Sequence, residues 1–275
     1  MAWMYPEIVS PSNPRVKQLV TLRRRRTRES SQVTLVEGYE ELVLALDAGV
    51  LPETLFVSPE LVGDRWSTVE RVASLGAEVV RLGPLAFEKV AYRESPDGWL
   101  AVVPSVPARL SALAIGPAPL LLVCEGVEKP GNLGAMLRTA DAAGVAAVIA
   151  AGPVTDWGNP NLVRASKGTV FSVPVASATT AETLAWLAEH EVTVVATTPR
   201  TDTLFTDVDL TGAVAIAVGA EKHGLSPELL AAAQIRARIP MFGRADSLNV
   251  ATSAAIATYE AVRQRLTGVR TSPEE

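Results

Sequence analysis

Short apolar runs alternate along most of the chain with stretches whose apolar residues recur every third or fourth position. That alternation predicts an α/β fold, with parallel strands joined by right-handed helical crossovers. In the first part the pattern predicts a basic helix over residues 16–26 and a strand over 33–36 that ends at Glu37 and Gly38. A helix over 39–48 follows, stopped by Gly49, then a strand over 54–57 and a helix over 61–75 closed by Gly76. Strands over 78–81 and 99–103 complete the set. Pro104, Pro107, Gly116, Pro117 and Pro119 then break the pattern. The expected organisation is a domain over 1–105, a linker over 106–119 and a second domain over 120–275.

The second domain opens on a continuous apolar run over 120–127, the kind of strand buried on both faces of a parallel sheet. The loop EKPGNLG leads to a helix over 135–144, a strand over 145–152 and a loop over 156–170. Strands are expected over 171–175, 192–197, 213–218 and 238–241, with helices over 181–189 and 227–233. The last helix starts at Leu248 and places Leu248, Ala251, Ala255, Tyr259, Val262 and Leu266 on one stripe. Its alanines allow another backbone to lie close. Pro240 and Gly243 break the run before it, and Asp246 and Ser247 are helix-capping residue types. Ser247 and Asn249 supply polar groups beside free amides, which suits an adenosine-like ligand. A plain capped core helix is the other reading. Residues 272–275 read as a frayed tail.

Composition narrows the class. Among 275 residues, 48% are hydrophobic and 20% charged, with a net charge of -5, as in a globular protein and unlike a disordered or membrane chain. No run reaches bilayer length and the N-terminus lacks a signal core, so a cytoplasmic location is expected. The one cysteine, Cys124, lies in an apolar strand and reads as a buried thiol. His190 and His223 are far apart and no metal-ligand spacing occurs, so no metal is expected. Net acidity argues against a generic nucleic-acid binder, yet residues 15–28 hold seven Lys and Arg and no acid. Such a block favours a polyanion, or is a solvated helix face.

Three loops expected at the carboxyl ends of strands carry polar residues: Asn132 with Arg138, Glu221 with His223, and Ser247 with Asn249. Open α/β sheets bind ligands at that edge. An ion pair to Asp141 would explain Arg138 equally, and a solvated loop acid would explain Glu221. The loop KPGNLGAML lacks the G-x-G-x-x-G spacing, and neither a Walker lysine nor a G-x-S-x-G elbow is present.

In chain order, GNLGAMLRTADAAG, AVGAEKHGLSPEL and IPMFGRADSLNVATSAAIA resemble the three motifs of the SpoU-type branch of the SPOUT RNA ribose 2′-O-methyltransferases. LVRASKGTVFSVPV is similar to the segment between the first two, with Arg164, Ser166 and Gly168 at its characteristic positions. SPSNPRVKQL and LVEGYEELVLALDAG resemble a ribosomal-protein-like substrate-binding domain that precedes many of these enzymes. The resemblance implies a trefoil-knotted methyltransferase domain behind a small α/β RNA-binding domain. It implies S-adenosylmethionine held largely by backbone groups around Thr197, Gly219, Ile239, Met241 and Leu248, and a homodimer that packs the final helix with the active site at the interface. Arg138 is implied to contact RNA, with Asn132, Glu221, Ser247 and Asn249 orienting it or the ribose hydroxyl. A guanidinium stays protonated, so Arg138 suits gripping phosphate and stabilising an alkoxide while Ser247 or water relays the proton. Arg164, Lys167, Arg23, Arg24, Arg25 and Arg26 would add contacts to RNA. The expected activity is ribose methylation of ribosomal RNA; transfer RNA as substrate, or a non-catalytic RNA binder on the same scaffold, remain alternatives.

Overall fold

The computed structural model describes residues 5–245 and 247–269. Its contacts sort the chain into two compact units. Unit one is the chain up to Val106 together with Asp156–Ser172; unit two is Pro107–Thr155 with the chain from Val173 onward. Residues 156–172, which the sequence places in the second domain, thus belong to unit one. No helix among the described residues is long and apolar enough to cross a membrane.

Unit one begins with β1 (Glu7–Ile8), α1 (Pro14–Thr21), α2 (Arg25–Ser31), β2 (Val33–Glu37), α3 (Tyr39–Asp47) and β3 (Thr54–Val57). It continues through α4 (Trp66–Ser74), β4 (Glu78–Leu82), α5 (Pro84–Val90) and β5 (Trp99–Pro104). Its sheet has the order β1-β4-β3-β5-β2 and is mixed: β5 runs antiparallel to both β3 and β2. The all-parallel expectation fails here at β5, which lies between β3 and β2 and runs against both. The expected basic helix is two helices. Asn13 caps α1 by accepting from the Arg15 amide at 2.9 Å, and the chain breaks after Thr21. The Arg28 guanidinium, almost wholly buried, donates to the carbonyls of Leu22 and Arg23 at 2.9 Å each, which satisfies acceptors freed by the break. It also pairs with Asp156 at 2.7 Å.

In the expected loop over 156–170, the chain forms α7 (Pro160–Ala165), preceded in sequence by β6 (Leu120–Glu125), α6 (Pro130–Ala143) and β7 (Ala147–Ala151) of unit two. Asn159 accepts from the Asn161 amide and Pro160 occupies the first helical position, where its missing N–H costs nothing. A 3₁₀ turn over Thr169–Phe171 comes first, so the strand expected over 171–175 starts later and runs over Val175–Ala178.

Unit two continues with β8 (Val175–Ala178), α8 (Thr180–Glu189), β9 (Thr193–Thr197), β10 (Val214–Gly219), α9 (Pro227–Ala232), β11 (Ile235–Ala237) and α10 (Val250–Val269). The six strands lie in the order β11-β9-β10-β6-β7-β8, all parallel, and both neighbours of β6 are in register along its length. The chain winds outward from β6 through β7 to β8, crosses to β9, comes back to lay β10 between β9 and β6, and ends on β11 beyond β9. That reversal at β6 and β10 opens a crevice at the carboxyl edge. Alternate residues of the strands, such as Leu121, Ile149 and Ala215, pack with Trp186, Leu187 and Leu229 on one face.

Several boundaries differ from the sequence reading for stated reasons. α6 starts at Pro130 and not at 135, because proline presets the first helical φ, so Asn132 sits in the first turn. The last strand is Ile235–Ala237, upstream of Pro240, which cannot donate to a ladder. α10 buries Val250, Ala251, Ala254, Ala257, Thr258 and Ala261 against α6 and β10. The large members of the expected stripe, Tyr259 and Leu266, are exposed, since only small side chains fit so close an approach. Burial pushes the Cys124 thiol up to about 12, with its Sγ 3.2 Å from Met136 Sδ.

Arg28→Ala should destabilise the chain by about 3 kcal/mol, because it leaves the Asp156 carboxylate and two carbonyls without their partner. Replacing both partners, Arg28→Met with Asp156→Leu, should recover part of that loss. Urea unfolding checks this; an unchanged midpoint for Arg28→Ala would show the pair to be energetically idle.

Candidate active site

The carboxyl ends of β9 and β10 and the start of α10 enclose a cavity of about 320 Å³ in unit two. Thr197, Gly219, Ile239, Met241 and Leu248, the five positions expected around a cofactor, all line it, and Ser247 does too. Gly219 is there for want of space: a Cβ would collide with the backbone of Gly224 and Leu225, which cross directly over it. That crossing is a tight turn, closed by the Gly224 amide on the Ala220 carbonyl at 2.8 Å with Gly224 at φ +68°. Thr197 Oγ1 is buried without a hydrogen-bond partner among the described residues. The buried Glu125 carboxylate anchors the neighbouring helix starts, accepting from the Ser226 amide and hydroxyl at 2.7 Å each and from Thr180 Oγ1 at 2.8 Å.

Beside the cavity, three loops meet through side chains. Lys129 Nζ lies 2.7 Å from Glu221, and the Asn132 amide donates to the other oxygen of that carboxylate. Asn249 Nδ2 donates to Asn132 Oδ1 at 3.2 Å, while Asn249 Oδ1 accepts from the amides of Ala251 at 2.9 Å and Thr252 at 3.4 Å. Asn249 is therefore the N-cap of α10, not Ser247; Asp246 lies outside the described residues. The Lys129 ammonium, with help from the Asn132 amide, holds the Glu221 carboxyl below its ordinary value.

The sequence signature of the SpoU rRNA Methylase family matches residues 119–259, and that of the MRM3-like substrate binding domain matches residues 13–101. A 23S rRNA (uridine(2479)-2′-O)-methyltransferase of Streptomyces viridochromogenes is 31% identical over 94% of this chain and 93% of its own length. This chain belongs to the SpoU rRNA methylase family. A crystal structure of an RNA 2′-O ribose methyltransferase aligns with a TM-score of 0.83 at 41% identity, covering 94% of this chain and 99% of that one. The AdoMet-bound rRNA methyltransferase from Sinorhizobium meliloti aligns with a TM-score of 0.86 at 31% identity, covering 94% and 98%.

In this SpoU chain, Asn132, Glu221 and Asn249 form one network and Ser247 is on the cavity wall, but Arg138 joins neither. It is exposed on α6, about 9 Å further along the helix axis than Asn132 and on a different azimuth. It makes no side-chain hydrogen bond or ion pair among the described residues, so the expected pairing with Asp141 is not formed. Lys129 was not foreseen as a site residue, although a lysine directly before a helix-starting proline is a visible signal. Thr198, Pro199 and Arg200 also line the cavity, as the loop after β9.

Apart from Arg138, the residues expected to contact RNA all lie in unit one. Arg164 and Lys167 are exposed at the end of α7 and in the turn after it. Arg24 and Arg26 are exposed as well. Arg23 and Arg25 are already engaged: Arg23 donates to the carbonyls of Lys89 at 3.1 Å and Ala91 at 2.8 Å and lies over the Tyr92 ring, and Arg25 pairs with Glu29 at 2.7 Å.

Asn249→Ala should cost about 1 kcal/mol through the lost cap. Asn249→Ser keeps a capping oxygen and should restore that stability without restoring the link to Asn132. If Ala and Ser variants unfold at the same urea concentration, the cap is not what Asn249 contributes.

Proposed function

We propose that the chain is an S-adenosylmethionine-dependent RNA ribose 2′-O-methyltransferase acting on ribosomal RNA in the cytoplasm. The observation that carries this reading is one cavity that gathers Thr197, Gly219, Ile239, Met241, Ser247 and Leu248 at the carboxyl ends of β9 and β10, in a member of the SpoU rRNA methylase family. Relatives aligned over nearly the whole chain bear names that specify rRNA methylation, which favours ribosomal over transfer RNA. The fit to the cofactor rests on Thr197 Oγ1, a buried hydroxyl in want of a partner, and on the close crossing at Gly219, where the cavity wall has no room for a side chain. Those positions, with Ile239, Met241 and Leu248, would hold the cofactor, whose sulfonium supplies the methyl group.

The residues of the chain then divide the remaining work. The ribose hydroxyl must give up its proton as its oxygen gains the methyl group. Glu221, held ionised by Lys129, is a weak proton acceptor; it fixes the Asn132 amide instead. Asn132 and Asn249 orient the hydroxyl, Ser247 or a water relays the proton, and Arg138 holds a phosphate and stabilises the developing alkoxide. Arg164 and Lys167, with Arg23, Arg24, Arg25 and Arg26, add affinity for RNA by neutralising phosphates.

The reading includes a homodimer and a trefoil knot in unit two. Supporting the dimer, α10 presents Ile256, Tyr259 and Leu266 to solvent on the side away from its alanine ridge, and Leu248 is partly exposed before it. Arg138 stands outside the cavity of its own chain, a gap that a second copy would close.

Wild-type chain should bind S-adenosylhomocysteine in a calorimeter and transfer tritiated methyl to ribosomal RNA. Arg138→Ala should lower transfer about 100-fold or more while leaving that affinity nearly unchanged. Loss of both together would mean that Arg138 is structural, and no binding by the wild type would end the enzyme reading.

Tyr259→Arg should convert the dimer to a folded monomer with little activity, read by sedimentation and circular dichroism. A wild-type monomer with full activity would refute the dimer.

A further inference from the structure

Unit one contains a second cavity, of about 540 Å³, lined by Glu41, Tyr92, Arg93, Glu94, Arg164 and Lys167. Its volume is in the range of small-molecule sites. Three of its walls carry a buried polar atom with no hydrogen-bond partner among the described residues: Glu41 Oε1, Tyr92 OH and Arg93 Nε. A buried polar atom left without a partner is unfavourable, so three along one cavity call for a polar occupant.

The floor is fixed. Glu41, with its side chain 1% exposed, pairs with Arg93 at 2.8 Å, and Arg93 also donates to the Glu37 carbonyl at 3.0 Å. The Glu37 carboxylate accepts from the Tyr92 amide at 2.8 Å and the Arg93 amide at 3.3 Å, so an acid at the end of β2 and another in α3 hold the same segment. Gly38, at φ +115°, is where any side chain would collide with the Glu41 carboxylate and the Arg93 guanidinium.

The rim is cationic and built under strain. Lys167 is a non-glycine at φ +55°, a left-handed conformation that a side chain disfavours. The turn around it imposes that angle. Ser166 is fully buried and donates to the Val163 carbonyl at 2.9 Å, and the space at Gly168 is so narrow that a Cβ would be 3.1 Å from the Glu41 carbonyl oxygen. Lys167 spends its charge on nothing strong: its ion pair with Glu40 is 3.4 Å long between two exposed side chains. Arg164 has no side-chain partner among the described residues.

We propose that this cavity binds one unpaired ribonucleotide of the substrate RNA, with its phosphate on Arg164 and Lys167 and the edge of its base on Glu41, Tyr92 and Arg93. A heterocycle offers N–H donors and carbonyl or ring-nitrogen acceptors side by side, the complement of a lone carboxylate oxygen next to a guanidinium and a phenol. Only an unpaired base has that edge free, so the site selects single-stranded RNA over duplex. The inference rests on the RNA reading above and adds to it a specific nucleotide site away from the cofactor cavity.

The test uses the full-length chain and a single-stranded 12-nucleotide RNA carrying 5-bromouridine, with the same sequence annealed as duplex. Wild type should prefer the single strand and crosslink through Tyr92 on irradiation, mapped by mass spectrometry. Arg164→Ala with Lys167→Gly should lower single-strand affinity at least tenfold and flatten the salt slope by about 1.4, two contacts at about 0.7 each. Lys167→Gly also relieves the backbone strain, so the double variant should melt no lower than wild type, and it should bind S-adenosylhomocysteine as wild type does. Wild-type affinity and salt slope in the double variant, or crosslinks that map only elsewhere, would overturn the proposal. If S-adenosylhomocysteine binds and the RNA does not, the nucleotide site alone falls; if neither binds, the methyltransferase reading falls with it.

Discussion

One amide side chain, Asn249, holds the carboxyl edge of unit two together. Its oxygen takes two backbone amides at the start of α10, and its nitrogen reaches the Asn132 carbonyl in the first turn of α6, 117 residues earlier. Asn132 in turn holds Glu221 from the loop after β10. Three loops that leave different points of the sheet are thereby brought to one place by two amide side chains, each of which donates through its nitrogen and accepts through its oxygen, and a carboxylate that only accepts. An aspartate would lose the donor, and a serine is too short to span both. The same loop lines the cavity, so the cap that starts the last helix also sets the shape of the site.

The strands were legible because a parallel strand buried on both faces is a bare apolar run, as in Leu120–Glu125 and Val214–Gly219. Motif resemblance picked out five positions that line one cavity, and the three polar loops were legible through their place after strands. What escaped was set by contacts between residues far apart in the chain. Nothing in the basic block announces that Arg28 is buried against Asp156 while Arg24 and Arg26 face solvent. The stripe on α10 was misjudged because periodicity weighs size, whereas the packing there rewards smallness. The turn after α7, with its buried Ser166 and strained Lys167, looks in sequence like an ordinary polar loop.

Electrostatics sharpens the division of roles. A carboxylate pulled below its ordinary value by a lysine at 2.7 Å keeps its charge at neutral pH and serves to position. Arginine cannot yield a proton there either. The chain therefore offers structure and charge at this edge more readily than a strong base, which suits a reaction whose reagent carries its own positive charge and whose difficulty is alignment.

The chain's excursion into unit one at Asp156–Ser172 has a consequence for how the protein is made. Domains commonly complete themselves in the order in which they are synthesised. Here the first unit cannot finish when its own sheet has been made: Arg28 waits 128 residues for Asp156, and α3 waits as long for the turn at Gly168. By then β6, α6 and β7 of the second unit have already been made. In a nascent chain stalled before residue 156 the Arg28 guanidinium, lacking its counter-charge, stays in water, so the first unit reaches its final packing only after part of the second has been made.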